Sequence, residues 1–175
     1  MTEPEQKKRA RGITASRLIL PNAILLGEVK KYVRLGSHVT IRTKGNSMLP
    51  FIRGEIDSVE LSVPKIPYAQ GDIVLAEVIP DHYILHRIWE IRGRQVILMG
   101  DGNCRGKEKC SLENIIAKVD YIVLPSERKI DPNKPLRRFT ARVWRKLLPV
   151  RPYLLAIRWR WTGLMARIFP SRREA

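Results

Sequence analysis

The sequence predicts a mainly β protein: a compact antiparallel β-domain with one N-terminal helix and amphipathic helices toward the C-terminus. Short apolar runs of period two, separated by Gly, Pro, Asn and Asp, fill residues 37–124. The flanking segments change to helical spacing, with apolar positions three or four apart. Charge divides the chain at the same places. Residues 1–36 hold 8 basic and 3 acidic groups, residues 37–124 hold 11 of each, and residues 125–175 hold 14 basic and 3 acidic. A neutral domain at 37–124 is therefore bordered by a basic arm and amphipathic helix at 1–36. On its other side lies a linker with a basic, Trp- and Arg-rich helical tail at 125–175. A chain of 175 residues can bury one sizeable core.

Residues 1–12 are polar and basic and read as a disordered arm. Over 22–35 the positions Leu25, Leu26, Val29, Tyr32 and Val33 share a helical face, with Asn22 as N-cap and Gly36 as the stop. Val39, Ile41 and Thr43 alternate with polar neighbours as a first strand, and 57–63 reads as a second. Pro64 and Pro67 mark a loop before a third strand at 73–79. Pro80-Asp81 turns the chain into a fourth, 82–91, and Gly93 closes a hairpin into 96–99. A Gly- and Lys-rich loop at 100–109 precedes a last strand at 115–124, and 131–135 is a linker. Leu136, Phe139, Val143, Leu147 and Leu148 then form a helical apolar stripe, with Arg137, Arg138, Arg142, Arg145 and Lys146 mostly elsewhere on the wheel. Pro149 and Pro152 break it, and a second segment covers 153–169.

The stretch Thr43-Lys44-Gly45-Asn46-Ser47-Met48-Leu49-Pro50 interrupts the strand pattern with turn chemistry. Gly45 and Asn46 tolerate positive φ and Pro50 blocks a long helix, so the chain turns sharply and presents Ser47 beside free backbone N–H groups. A nucleophilic serine needs that geometry, and it needs a base. Of the three histidines, His38 begins the first strand, while His82 and His86 share a face of the fourth. His86 is embedded in the apolar and aromatic run Tyr83-Ile84-Leu85-His86-Arg87-Ile88-Trp89. Gly100-Asp101-Gly102-Asn103 follows the fifth strand, where a carboxylate can hold an imidazole in one tautomer. Each piece also has a plainer reading: a hairpin loop, a half-buried structural histidine, an Asx-turn.

Taken in order, Gly45-x-Ser47-Met48-x-Pro50, Gly71-Asp72-Ile73-Val74, His86-Arg87-Ile88 and Gly100-Asp101-x-Asn103 resemble the boxes of the type I signal peptidase and LexA-like serine peptidases. The histidine before Arg-Ile resembles the archaeal and endoplasmic-reticulum branch, which uses a Ser–His pair where bacterial members use Ser–Lys. The resemblance spans roughly the neutral domain. It implies a LexA/signal-peptidase-like β fold, Ser47 as nucleophile, His86 as general base and Asp101 as supporting carboxylate. Gly45, Asn46, Met48, Pro50 and Asn103 would surround the substrate and the oxyanion. Bacterial members place a second serine where this chain has Gly45, so backbone N–H groups, that of Ser47 among them, must serve the oxyanion. Eukaryotic-type members carry further acidic residues after the Gly-Asp box; here Cys104-Arg105-Gly106-Lys107-Glu108 offers only Glu108. The family's N-terminal membrane anchor is not legible.

The implied activity is cleavage of a peptide or protein substrate through an acyl-enzyme, with small residues beside the cut, in the manner of peptide maturation. The substrate is expected to bind as an added strand on a sheet edge, and no cofactor or metal is expected. The alternatives are a non-catalytic peptide- or partner-binding relative of the same fold, or a basic nucleic-acid-binding protein. Cys104, Cys110, His82 and His86 lack zinc-knuckle spacing, and two cysteines are too few for a disulfide framework. Trp144, Trp159 and Trp161 among arginines suit an interfacial helix over 136–169 on an anionic membrane surface. They equally suit helices packed on the β-domain with a solvated basic face. Nucleic acid ranks lower as a partner, because one helix before the domain is too little for a DNA-binding module. No secretory signal is legible, nor any run near the roughly 18 apolar residues of a membrane span. The expected location is cytoplasmic or peripheral on the inner membrane face.

Overall fold

The computed structural model describes residues 22–64 and 66–168, excepting the side chains of 22–25 and 162–168; the arm at 1–12 and Phe169 lie outside the described residues. Helix α1 (Asn22–Arg34) stops at Gly36, whose φ of +83° suits a residue without a side chain. There the Gly36 N–H donates to the Val33 carbonyl at 2.9 Å and the Ser37 N–H to the Tyr32 carbonyl at 3.1 Å, the paired bonds of a Schellman end. Val29 and Val33 are buried against the sheet, whereas Tyr32 of the same expected face lies open.

Eight strands follow: β1 (Val39–Arg42), β2 (Ser58–Ser62), β3 (Ile73–Ile79), β4 (His82–Arg92), β5 (Gln95–Met99), β6 (Glu108–Ser111), β7 (Ile115–Val123) and β8 (Lys129–Ile130). They form one antiparallel sheet in the order β1-β2-β7-β3-β4-β5-β6, with β8 paired to the end of β7. The expected strands are present. Two more were not foreseen: β6 emerges from the Gly- and Lys-rich loop, and β8 carries the sheet on to Ile130.

β3 explains the layering. Ile73 and Leu75 pack into one core with Val59 and Leu61 of β2, Ala117 and Val119 of β7, and α1. Val74 and Ala76 pack into a second core with Ile88, Val96 and Leu98. Both faces of β3 are covered, so Ile73–Ala76 is an unbroken apolar run rather than an alternating one.

The tail forms α2 (Pro135–Lys146) and α3 (Arg151–Ile168), with α2 and the first residue of α3 anchored to the β-domain. α2 is mounted with its apolar stripe outward: Leu136 is 72% and Phe139 60% exposed, while Ala141 is buried. Polar anchors hold the inner side. Trp144 Nε1 donates to the Asp101 carbonyl at 2.7 Å, and Arg138 pairs with Asp72. Arg151, 1% exposed, donates through its Nη atoms to the Asn103 carbonyl at 2.7 Å and the Trp144 carbonyl at 3.2 Å. Its Nε finds no partner among the described residues, and burial pulls its pKa below the arginine norm. No described helix is long and apolar enough to cross a membrane.

Candidate active site

The serine loop is pinned at its base. The Thr43 N–H and Oγ1 both donate to the Asp57 carbonyl, at 3.1 and 2.9 Å. The Asp57 carboxylate accepts the Arg53 backbone N–H at 2.8 Å and its Nη2 at 2.6 Å. Burial pushes the Asp57 pKa up, but the Arg53 side-chain and backbone bonds outweigh it and hold the carboxyl below its usual range. Between these anchors Met48 and Ile52 sink into the first core, and Ile52 N–H donates to the Met48 carbonyl at 3.0 Å, completing a single turn. Gly45 takes φ +71° and the Leu49–Pro50 peptide is cis. Ser47 is left half-buried, with Gly45 and Asn46 exposed beside it.

The loop rests on the Gly100-Asp101-Gly102 turn, backbone against backbone. The Gly102 N–H donates to the Ser47 carbonyl at 2.7 Å. An ideal Cβ on Gly100 would stand 2.3 Å from the Ser47 carbonyl oxygen and 3.0 Å from His86 Nε2; one on Gly102 would stand 2.4 Å from the Asn46 carbonyl oxygen. Only bare α-carbons permit this approach. The first and fourth sequence boxes are thus in contact, and the serine loop and the imidazole meet at Gly100.

His86 sits on β4 opposite Val74 and is 5% exposed. Its Nδ1 lies 3.1 Å from Glu108 Oε2. A carboxylate oxygen accepts, so Nδ1 is the donor in this contact. Asp101, expected to support the imidazole, does something else. Its carboxylate takes Arg87 Nε at 3.0 Å and Nη2 at 2.7 Å, while Arg87 Nη1 reaches the Gly71 carbonyl at 2.7 Å. A bidentate guanidinium occupies both oxygens, and Asp101 ties the second, third and fourth boxes together rather than orienting His86. Asp72 of the second box accepts Lys118 Nζ at 2.9 Å, the Ala69 N–H at 3.0 Å and Arg138. Asn103 places its amide nitrogen 3.1 Å from the same ideal Gly100 Cβ. Pro50 shapes the loop from beside the buried Leu49.

No protein-family model matches this chain, and no curated protein matches it either.

Ser47 and His86 line one open cleft. The hydrogen bond expected between them is not formed: Ser47 Oγ donates to no described residue. The Ser47 and Met48 N–H groups donate to no described residue either. Strand residues line the cleft on both sides. Ile41 and Arg42 come from β1, a sheet edge, and Tyr83, Ile84 and Leu85 come from β4. β5 pairs with β4 only from Arg87 onward, so Tyr83–His86 keeps one side free of strand partners.

Glu108 was visible in the sequence only as the last acid in its loop. The alternation Glu108-Lys109-Cys110 was the signal: Cys110 is buried, and Glu108 shares its strand face. His82, by contrast, is exposed at the start of β4. Among the described residues no three His, Cys, Asp or Glu side chains gather as a metal-binding group. Cys104 and Cys110 are both free thiols, and burial pushes the Cys110 thiol up.

Proposed function

We propose that this protein is a serine endopeptidase of signal-peptidase-like type, its β-domain a LexA/signal-peptidase-like fold, cleaving peptide bonds by Ser–His acyl-enzyme chemistry. One observation carries the reading: Ser47 and His86 line the same cleft, and Glu108 Oε2 stands 3.1 Å from His86 Nδ1, on the far side of the ring from Nε2. His86 Nε2 takes the Ser47 proton as Oγ attacks the scissile carbonyl. It then returns that proton to the leaving amine, and water repeats the sequence on the acyl-enzyme. The Ser47 and Met48 N–H groups receive the oxyanion, each such donor contributing about 3 kcal/mol to the transition state. The peptide lies extended between β1 and the unpaired stretch of β4, where backbone bonds hold it and alternate side chains enter the cleft. Met48, Leu75 and Leu85 make that lining apolar. Maturation of a peptide is the role this chemistry suits.

A second reading, a peptide-binding relative without catalysis, draws on the missing Ser47–His86 bond. One experiment separates the two. Purified protein is treated with a fluorophosphonate and digested for mass spectrometry. An adduct on Ser47, absent in Ser47→Ala and lost in His86→Ala with both variants still folded, is the expected result. An unmodified Ser47 in folded wild type gives the site to the peptide binder.

A further inference from the structure

α2 is amphipathic and faces the wrong way for a helix whose apolar side belongs to a protein core. Leu136 is 72%, Phe139 60% and Val143 40% exposed, at i, i+3 and i+7 of one stripe. On α3, Tyr153 is 72%, Ile157 62% and Trp161 61% exposed, at i, i+4 and i+8. Large apolar side chains left in water at this regularity are a docking face rather than scattered surface hydrophobes.

Its charge says what docks. Residues 135–168 hold nine Arg and Lys side chains and no acidic one. Arg138 and Arg151 are spent on the β-domain, but Arg137, Arg142, Lys146 and Arg160 are exposed beside the stripe. A second copy of this chain would set arginine against arginine. Residues 1–21, with Lys7, Lys8, Arg9, Arg11 and Arg17 against Glu3 and Glu5, carry the same sign. The complement must be apolar and anionic over one continuous surface.

We infer that α2 and α3 form a foot that lies in the headgroup region of an anionic bilayer, with Phe139, Tyr153, Ile157 and Trp161 in the acyl boundary and the arginines on lipid phosphates. Docking of the foot does not depend on the peptidase reading. It does have a consequence for it. Leu155, Ala156 and Trp159 of α3 border Asn46, Leu49 and Gly102, so the foot adjoins the serine loop and holds the cleft beside the membrane.

The test is co-sedimentation of the full chain with vesicles of phosphatidylcholine alone and of phosphatidylcholine mixed with phosphatidylglycerol, at rising salt. Binding to the mixed vesicles only, weakening with salt, is expected. The double variant Phe139→Ser, Ile157→Ser changes two exposed side chains, keeps its circular dichroism, and should bind roughly tenfold more weakly. Equal binding by wild type and variant, or none by wild type, overturns the proposal. So does a dimer that the variant dissolves, which gives the face to a second copy. Salt-sensitive retention of duplex DNA without vesicle binding gives the tail to nucleic acid. Ser47→Ala should bind vesicles as wild type does, which keeps this result separate from the peptidase test.

Discussion

The Ser47 carbonyl oxygen, the His86 Nε2 atom and the bare α-carbon of Gly100 set the tolerance of the candidate site. Gly100→Ala puts a methyl group where the serine carbonyl already stands, 2.3 Å from it. The loop must give way, at roughly 1–3 kcal/mol of stability, and fluorophosphonate labelling of Ser47 should fall with it. Glu108 and Asp101 provide a sharper contrast. Glu108→Gln removes the charge that favours the developing imidazolium but leaves the fold in place. Labelling should slow by about 10²–10⁴-fold with little change in melting temperature. Asp101→Asn strips the charge from the buried Arg87 pair and should lower stability by about 3–5 kcal/mol, read by urea titration. A stable Asp101→Asn with an inactive site would reverse these two assignments. Serine, histidine and the four boxes were legible because each is a local signal. The partner of His86 was not, since it is chosen by the Leu98–Glu108 register across β5 and β6. The nearer carboxylate in sequence, Asp101, is claimed by Arg87.

At the scale of elements, the serine loop is closed by Arg53–Asp57, and its acid sensitivity follows from the sign of the Asp57 shift. The folded pKa lies below the unfolded value of about 3.9. The stabilisation is therefore present above that unfolded value and is lost as pH falls through the folded one. Urea unfolding across acidic pH should show this slope in wild type and a flatter one in Asp57→Asn. Trp144→Phe tests the tail in the same way. It keeps the edge contact with Phe51, whose ring centroid is 6.3 Å away, but drops the bond to the Asp101 carbonyl. A loss of about 0.5–1.5 kcal/mol is expected. Periodicity revealed that α2 has an apolar stripe and could not reveal where that stripe points. Asp72, Asp101 and Asn103, far away in sequence, accept Arg138, the Trp144 indole and Arg151 and so fix which side of the helix meets the β-domain. The β6 strand was hidden for a related reason: its Gly- and Lys-rich approach looks like a loop until β5 offers it a ladder.

For the molecule as a whole, the neutral domain and basic flanks seen in composition correspond to different layers. Uncharged β-structure fills the two cores, and the arginines of the tail divide between pinning helices to it and facing solvent. The two cores are not two bodies. Residues Ile73 to Ala76 lend their side chains alternately to each, so neither side can melt while the other keeps its central wall. Differential scanning calorimetry should therefore record one peak, with calorimetric and van't Hoff enthalpies in agreement. Leu75→Ala on one side and Val74→Ala on the other should each displace that single peak rather than split it.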